Sequence, residues 1–414
     1  MTLDNATVND RVVKNIHDAL GLEMFLKAEY LHVGCAAHVL NIMVQQGLKI
    51  ISNAIVRVQD IIKVVTSTPS RLQMFNSIVE KSGLRTKSGM TMDVPHRWNS
   101  TYDMLHEALE YKVALNRYAV EQYHVAPTEL EWQKAESLHG FLQAFSEATK
   151  AFSADRHPTA HLFIKFLLAI RDVLLDEAWN SNELLDSMAN SMHVKFEKYW
   201  AEPNIVLLIA AVLDPSMKMT FLRFYFHTVS ADVEGRLREL RTTLNRIYEE
   251  YEKVVRSDKP LMTPQSDLNL ATNGSGSFGS PLCGQRRIEL VFAQFASQRA
   301  DSLTQRSELD KYLEDPRVHV NLNEHFDVLA WWKKNGDAYP VLSLMARDFL
   351  AIPVSTVSSE SAFSTAGRLL GKERTSLAPA TLEALVCSKD WFVGFSPEDE
   401  GDLSSKYVVF SSVL

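Results

Sequence analysis

"STVSSESAFSTAG", residues 355–367, sets a single carboxylate, Glu360, in a run of small hydroxyl side chains. The apolar "FLAIPV" (349–354) leads into it and Gly367 closes it. A helix that starts here buries its first turns, because small residues let another backbone or a ligand come close. Glu360 in that setting reads in two ways, as a solvated surface charge or as a metal ligand. The choice depends on what the rest of the chain brings to it.

Working outward, the segments "SELDKYLEDP" (307–316), "FDVLAWWKKNGDAYPVLSLMARDFLAIPV" (326–354) and "TLEALVCSKDWF" (381–392) form a last unit rich in large apolar residues. Ahead of it, residues 257–287 shift sharply to Ser, Gly, Asn, Thr and Pro, the composition of a linker. Between about residue 99 and Tyr251 the apolar spacing is helical nearly throughout, punctuated by Pro127, Pro158, Pro203 and Pro215. No fixed-period repeat is evident, which argues against a solenoid.

At the start, "TL" reads as the end of a strand before Asp4. Val8, Val12, Val13, Ile16 and Leu20 then follow helical spacing, and Gly21 is a natural stop. "YLHVG" reads as a second short strand that feeds one long buried helix from about Ala36 through Ile62. "STPS" (67–70) breaks the pattern before a further helix to about Lys81, and Asn99, Ser100 or Thr101 supplies the cap of another.

The totals exclude several classes. Apolar residues make 46% and charged residues 23% of 414, so the chain folds rather than staying disordered. Cys35, Cys283 and Cys387 are too few and scattered for a disulfide framework and fit a reducing compartment. "MTLDNATVND" has neither region of a signal peptide. The uncharged run Tyr30–Leu48 is interrupted by His32, His38, Asn41, Gln45 and Gln46, which reads as a buried helix and not a membrane span. A net charge of −8 argues against nucleic-acid binding by the whole surface, though not by a local basic face such as "GRLLGKERTS".

Taken singly, each candidate residue has two readings. Asp4 is placed as a helix-capping residue or as an acid at a strand end. Cys35 and His38, in "CAAH", have half of a zinc-site spacing, but no second pair follows, so they pack the junction and no structural zinc is expected. Arg97 and Trp98, in "PHRWNS", serve as a core anchor or as a cation and a stacking face for a base.

Their order along the chain resembles the hAT superfamily of DNA transposases, in particular its plant Ricesleeper-like, zinc finger BED domain-containing type. "TLDNATVND", "CAAH", "RWNST", "LIAAVLDPSMKM" (208–219), "LDKYLEDP", "WWKKN" and "SSESAFSTAG" occur in the family's sequence, from residue 2 to about 392. The resemblance implies a mainly α protein with a small α/β part. That part is an RNase H-like core interrupted by a large helical insertion, with a C-terminal dimerisation region. The implied boundaries are a partial core at 1–88, helical insertion and RNase H-fold region at 89–256, linker at 257–287, dimerisation region at 288–395 and tail at 396–414.

The resemblance also assigns roles. Asp4 and Glu360 match the family's second aspartate and its glutamate, which hold Mg²⁺ or Mn²⁺. Trp98 matches the tryptophan that stacks near the flipped base, with Arg97 beside it, and Cys35 and His38 match the pair that steadies the DNA end. Arg368, Lys372 and Arg374 are further DNA contacts. Trp331, Trp332, Leu342, Phe349, Leu385 and Trp391 would form the dimer interface. The family's first aspartate and its BED finger would lie upstream of residue 1, so an N-terminally truncated member is expected. The implied protein is a nuclear, DNA-binding homodimer or higher oligomer of domesticated origin, pairing with full-length hAT transposases and not with membranes. It would lack transposition activity. The alternatives are a fragment of an active two-metal DDE transposase or a helical interaction scaffold.

Overall fold

The computed structural model describes residues 1–21, 24–51, 55–94, 97–123, 126–154, 157–258, 307–320, 326–357, 360 and 378–394. Two compact units emerge, Met1–Leu207 with Ala351–Leu414, and Leu208–Leu350. The expected linker from 259 onward and the tail at 396–414 lie outside the described residues.

The first unit holds the small sheet. Strand β1 (Thr2–Leu3) pairs in parallel with β2 (Val33–Gly34), Thr2 opposite Val33 and Leu3 opposite Gly34. Helix α1 (Thr7–Leu20) joins them and has no buried residue, although its apolar side chains share one face. Helix α2 (Ala36–Ile51) follows β2 directly. The single long helix expected from Ala36 to Ile62 is two, because α3 (Val56–Thr66) is a separate element. Apolar spacing runs unbroken across the junction because both helices pack against the same later helix, α7 (Glu129–Phe152). Spacing reports which face is buried and is blind to a change of axis.

Local chemistry explains the other ends. Thr68 accepts the Arg71 N–H at 3.3 Å and Pro69 opens α4 (Pro69–Lys81). Helix α5 (Trp98–Glu110) starts earlier than the sequence suggests, so Ser100 and Thr101 lie inside its first turn. Their hydroxyls are engaged by the preceding segment: Thr101 Oγ1 donates to Asp93 at 2.8 Å, and Ser100 Oγ accepts the Val94 N–H at 2.8 Å. Asp93 also accepts from Gln59 at 2.6 Å, so this acid is a tie between segments. Helix α6 (Lys112–Tyr118) packs on α4. Helix α7 opens on a reciprocal Thr128–Glu131 capping box.

Helices α8 (Phe163–Leu174) and α9 (Glu183–Trp200) complete this unit's interior, joined by the edge-to-face contact of Phe163 with Trp200 at 5.6 Å, while Phe196 packs edge-to-face on the same Trp200 within α9 at 5.8 Å. The tightest approach is between α2 and α9. A Cβ placed on Gly47 would stand 2.4 Å from Met192 Sδ and 2.9 Å from Met188 Cγ, so any larger residue there requires these two methionine side chains to move.

The second unit takes in most of α10 (Ile205–Val212), with α11 (Lys218–Val229), α12 (Val233–Asp258), α13 (Glu308–Glu314), α14 (Val328–Asn335) and α15 (Pro340–Leu350). Its organising feature is the turn "LDPSMK". Asp214, 2% exposed, accepts from the Ser216 N–H and hydroxyl at 2.8 and 2.7 Å. Lys218, held at φ +52°, sends its buried ammonium to the carbonyls of Tyr312 and Asp315 at 2.6 and 2.8 Å and lies 4.4 Å from the Tyr312 ring centre. Tyr312 OH and Trp332 Nε1 in turn donate to the carbonyls of Val212 and Leu213 at 2.9 and 2.8 Å. Burial lowers the Lys218 pKa, with Asp315 opposing. Glu308 receives the Val341 and Leu342 N–H groups at the start of α15 at 3.1 and 2.7 Å.

Three of the expected dimer residues are buried within this unit. Trp332, Leu342 and Phe349 are 4%, 0% and 6% exposed within this unit, and Trp331 is half-buried, because they surround Tyr312 and Tyr339 and pack α15 on α12 and α14. Only Leu385, on α16 (Pro379–Gly394) of the first unit, stays open at 41%; the Trp391 side chain is outside the described residues. Among the described residues no single helix is long and apolar enough to cross a membrane.

Replacing Lys218 by methionine keeps most of the packing but strips buried carbonyls of their donor. The Lys218→Met chain is expected to lose about 2–4 kcal/mol in urea unfolding. A loss below about 0.5 kcal/mol, the range of ordinary surface changes, would contradict the role given to this turn.

Candidate functional site

Two residues of strand suffice to place Asp4. The Leu3 carbonyl accepts the Cys35 N–H at 2.8 Å and the Met1 carbonyl accepts the Val33 N–H at 3.0 Å, so β1 delivers Asp4 beside the start of α2. The Asp4 Oδ1 atom accepts the Ala6 N–H at 3.1 Å and the Asn9 side-chain amide; the same amide donates to the Asp4 carbonyl at 3.2 Å. Both carboxylate donors go to Oδ1. Asp4 is thus not the helix cap expected from the sequence: the N-cap of α1 is Ala6, which has no side-chain cap bond, and Asp4 instead closes a turn on the Ala6 N–H.

A second segment reaches the same place from far along the chain. The Val354 carbonyl accepts the Ala36 N–H at 2.8 Å, Thr2 Oγ1 donates to the Pro353 carbonyl at 2.5 Å, and Ser355 Oγ donates to the Phe152 carbonyl at 2.6 Å. The Val354 N–H donates to Thr159 Oγ1 at 3.1 Å. Thr356 follows, its N–H and Oγ1 lying 3.3 and 3.2 Å from Cys35 Sγ, while its hydroxyl donates to Glu360 Oε1. The Glu360 N–H closes a helical turn on the Thr356 carbonyl at 2.9 Å. Thus Cys35, Thr356 and Glu360 form one connected group at the end of the sheet, and Cys35 bonds through its N–H to Leu3, the residue before Asp4.

Cys35 is 1% exposed and its sulfur also accepts the His38 N–H at 3.4 Å, acting as the cap of α2. The sulfur therefore sits among hydrogen-bond donors, and the pairing with His38 is backbone capping. His38 is half-buried in the first turn of α2. Arg97 is half-buried, while Trp98 is 3% exposed, its ring set into the unit's interior at the start of α5. That placement is the core anchor of the two readings; stacking on a base requires the ring to leave the interior. Arg368, Lys372 and Arg374 lie outside the described residues.

Thr356 and Asn9 were not singled out by sequence reasoning. Thr356 is hidden in the hydroxyl run, where nothing distinguishes it until Cys35 is seen beneath it. Asn9 lies one helical turn past Asp4, and that spacing is its only signal.

As a donor set, two carboxylates and a hydroxyl are hard oxygen ligands that suit Mg²⁺ or Mn²⁺. Among the described residues, no group of three or more His, Cys, Asp and Glu side chains is arranged to hold one ion. The fit to a hard cation is thus a partial one.

The unit is a helical one with a two-stranded parallel sheet, in which Asp4 follows one strand and Glu360 lies in a hydroxyl-rich segment bonded to Cys35. Residues 33–141 match the ZBED1 RNase-like helical domain, 161–251 the hAT-like transposase RNase-H fold, and 308–392 the hAT family C-terminal dimerisation region. The chain belongs to the hAT transposase family. It is 32% identical over 406 residues to the zinc finger BED domain-containing protein RICESLEEPER 2 of Oryza sativa subsp. japonica, covering 94% of this chain and 55% of that protein. To the putative AC transposase of Zea mays it is 33% identical over 404 residues, 94% of this chain and 48% of the other. The protein DAYSLEEPER of Arabidopsis thaliana is 29% identical over 326 residues, 78% of this chain and 43% of its own length. The chain spans about half the length of the curated relatives it matches.

Cys35→Val keeps the volume and removes the acceptor for His38 N–H and Thr356. A loss of about 1–3 kcal/mol is expected, with most of it recovered in Cys35→Ser, whose oxygen caps as well. Equal destabilisation by valine and serine would show that the sulfur only fills space.

Proposed function

We propose that this chain is a DNA-binding, self-associating nuclear protein of the hAT family, and that on its own it does not cut or join DNA. What supports the reading is that the segment carrying Glu360 bonds through Thr356 to Cys35, whose N–H bonds to the residue before Asp4, while no group of three His, Cys, Asp or Glu able to hold an ion is found among the described residues. Asp4 and Glu360 would hold Mg²⁺ or Mn²⁺, whose chemistry is to stabilise charge on the oxygens of a phosphoryl displacement. The chain's own share is to place those acids: Asn9 orients Asp4, and Thr356 orients Glu360. A pair of ions about 3.5–4 Å apart needs more carboxylate than two residues supply.

DNA binding, by this reading, is electrostatic and weakly selective. The net charge of −8 keeps it local, carried by Arg97 with Arg368, Lys372 and Arg374. Trp98 holds the start of α5, and so Arg97, from below. No zinc is assigned to Cys35 and His38. Self-association rests on the match of residues 308–392 to a dimerisation region, and the exposed Leu385 is its described apolar contact. Partners would be a second copy or a longer hAT protein. A second reading, part of an active two-metal transposase, draws on the length of the relatives: a third acid from outside these residues would complete the site.

The purified chain, given Mg²⁺ or Mn²⁺ with hairpin, nicked or terminal-repeat DNA, should leave the DNA intact. With about three phosphate contacts its affinity for DNA should fall roughly 40-fold between about 50 and 200 mM salt. Metal-dependent cleavage abolished by both Asp4→Asn and Glu360→Gln would overturn the non-catalytic reading in favour of the second. Salt-independent binding, or none, would remove the DNA-binding one.

A further inference from the structure

Away from that site, α5 and α7 lie against each other and set two imidazoles face to face. His106 Nδ1 is 3.2 Å from His139 Nε2, with ring centres 5.3 Å apart. Tyr102, one turn before His106, lies flat over His139 with ring centres 4.8 Å and planes 12° apart. His106 is exposed and His139 half-buried, so one edge of the pair meets solvent.

A shared proton accounts for a 3.2 Å separation, and so does something else. Two imidazole nitrogens bound tetrahedrally to one zinc ion at about 2.0–2.1 Å stand about 3.3 Å apart. We propose that His106 Nδ1 and His139 Nε2 form a transition-metal site bridging α5 and α7, which takes Zn²⁺ or Cu²⁺ with water in the remaining positions. In the neutral hydrogen-bonded pair one facing nitrogen carries a proton. Ligation moves that proton to the far nitrogen of the same ring, leaving two facing lone pairs and two outward N–H groups.

The surroundings favour a cation with nitrogen preference. Asp103, one turn before His106, and Glu147 on α7 add negative charge near the rings, against Lys150. Burial, and His106 beside it, lower the His139 pKa, which preserves the neutral ring that a metal requires. Imidazole ligands select Cu²⁺ and Zn²⁺, whereas Mg²⁺ and Mn²⁺ go to oxygen. The pair therefore differs in its choice of metal from Asp4 and Glu360. Among the described residues no third His, Cys, Asp or Glu is already in place, so the site is two-residue, water-filled and exchangeable. Its effect would be to clamp α5 to α7.

The full chain, stripped with EDTA, is titrated with ZnCl₂ alone at about pH 7.5, the upper side of the imidazole range, and followed by calorimetry and by the histidine ring signals in NMR. One equivalent of zinc should bind, shifting the signals of His106 and His139 together. His106→Gln or His139→Gln should weaken that equivalent by about tenfold or more, and the double variant should go no further in removing sites. Lowering the pH to about 5.5, where imidazoles charge, should release the metal. The thirteen histidines of the chain supply a control: His227→Gln, an exposed change elsewhere, should leave the titration unaltered. Because His106 is exposed, its variant should melt as the parent does without metal. Zinc binding unaffected by both glutamine variants, or competed away by equimolar Mg²⁺, would overturn the assignment.

Discussion

Four residues, Pro353 to Thr356, hold the first unit together. Their backbone and hydroxyl groups bond to Thr2, Cys35, Ala36, Phe152 and Thr159, partners that lie roughly 200 to 350 positions earlier in the chain. Val354 is wholly buried and Ser355 5% exposed, so the bonds of Val354 to Thr159 and of Ser355 to Phe152 replace water at a place water does not reach. A segment closed over so long a span gains stability only once the intervening helices are in place. Glu360 is therefore positioned by the completed unit and not by its own neighbourhood.

That dependence extends to Asp4. Asp4 hangs from a strand of two residues, which alone has little stability. It is fixed because Thr2 is bonded to Pro353 and Leu3 to Cys35, the same two points that anchor the glutamate segment. The small side chains around Glu360 serve this closure: Ser355 and Thr356 reach buried acceptors with short hydroxyls that a longer side chain could not replace. In the second unit the equivalent closure is made by Lys218, whose single ammonium satisfies carbonyls at the end of α13.

Much of this could be read from the sequence where the controlling chemistry is local. The strand ends before Asp4 and after "YLH", the run of α1 to Gly21 and the Thr68–Pro69 start of α4 all follow from neighbours within a turn. The two-helix break after Ile51, the burial of Trp98 and the engagement of Ser100 with Val94 and Asp93 did not. Periodicity marks a buried face without naming the partner, and a tryptophan carries the same signal in a core and on a DNA surface. A joint role for Asp4 and Glu360 is legible only as family order; what the structure adds is that Thr356 links Glu360 to Cys35 and that Cys35 bonds to Leu3. The burial of Trp332 and Leu342 was not legible either, because large apolar residues mark an interface and an interior alike.

The central claim is that Asp4 and Glu360 are brought to one metal-accepting point by the bonds that Leu3 and Thr356 make to Cys35. Mn²⁺ titration of the whole chain, read by electron paramagnetic resonance, tests it without requiring DNA or turnover. One weak site is expected, lost to the same extent in Asp4→Asn and in Glu360→Gln and weakened in Thr356→Val but not in Thr356→Ser. A manganese signal that survives either carboxylate change, or that responds to one of them and not the other, would contradict the shared site.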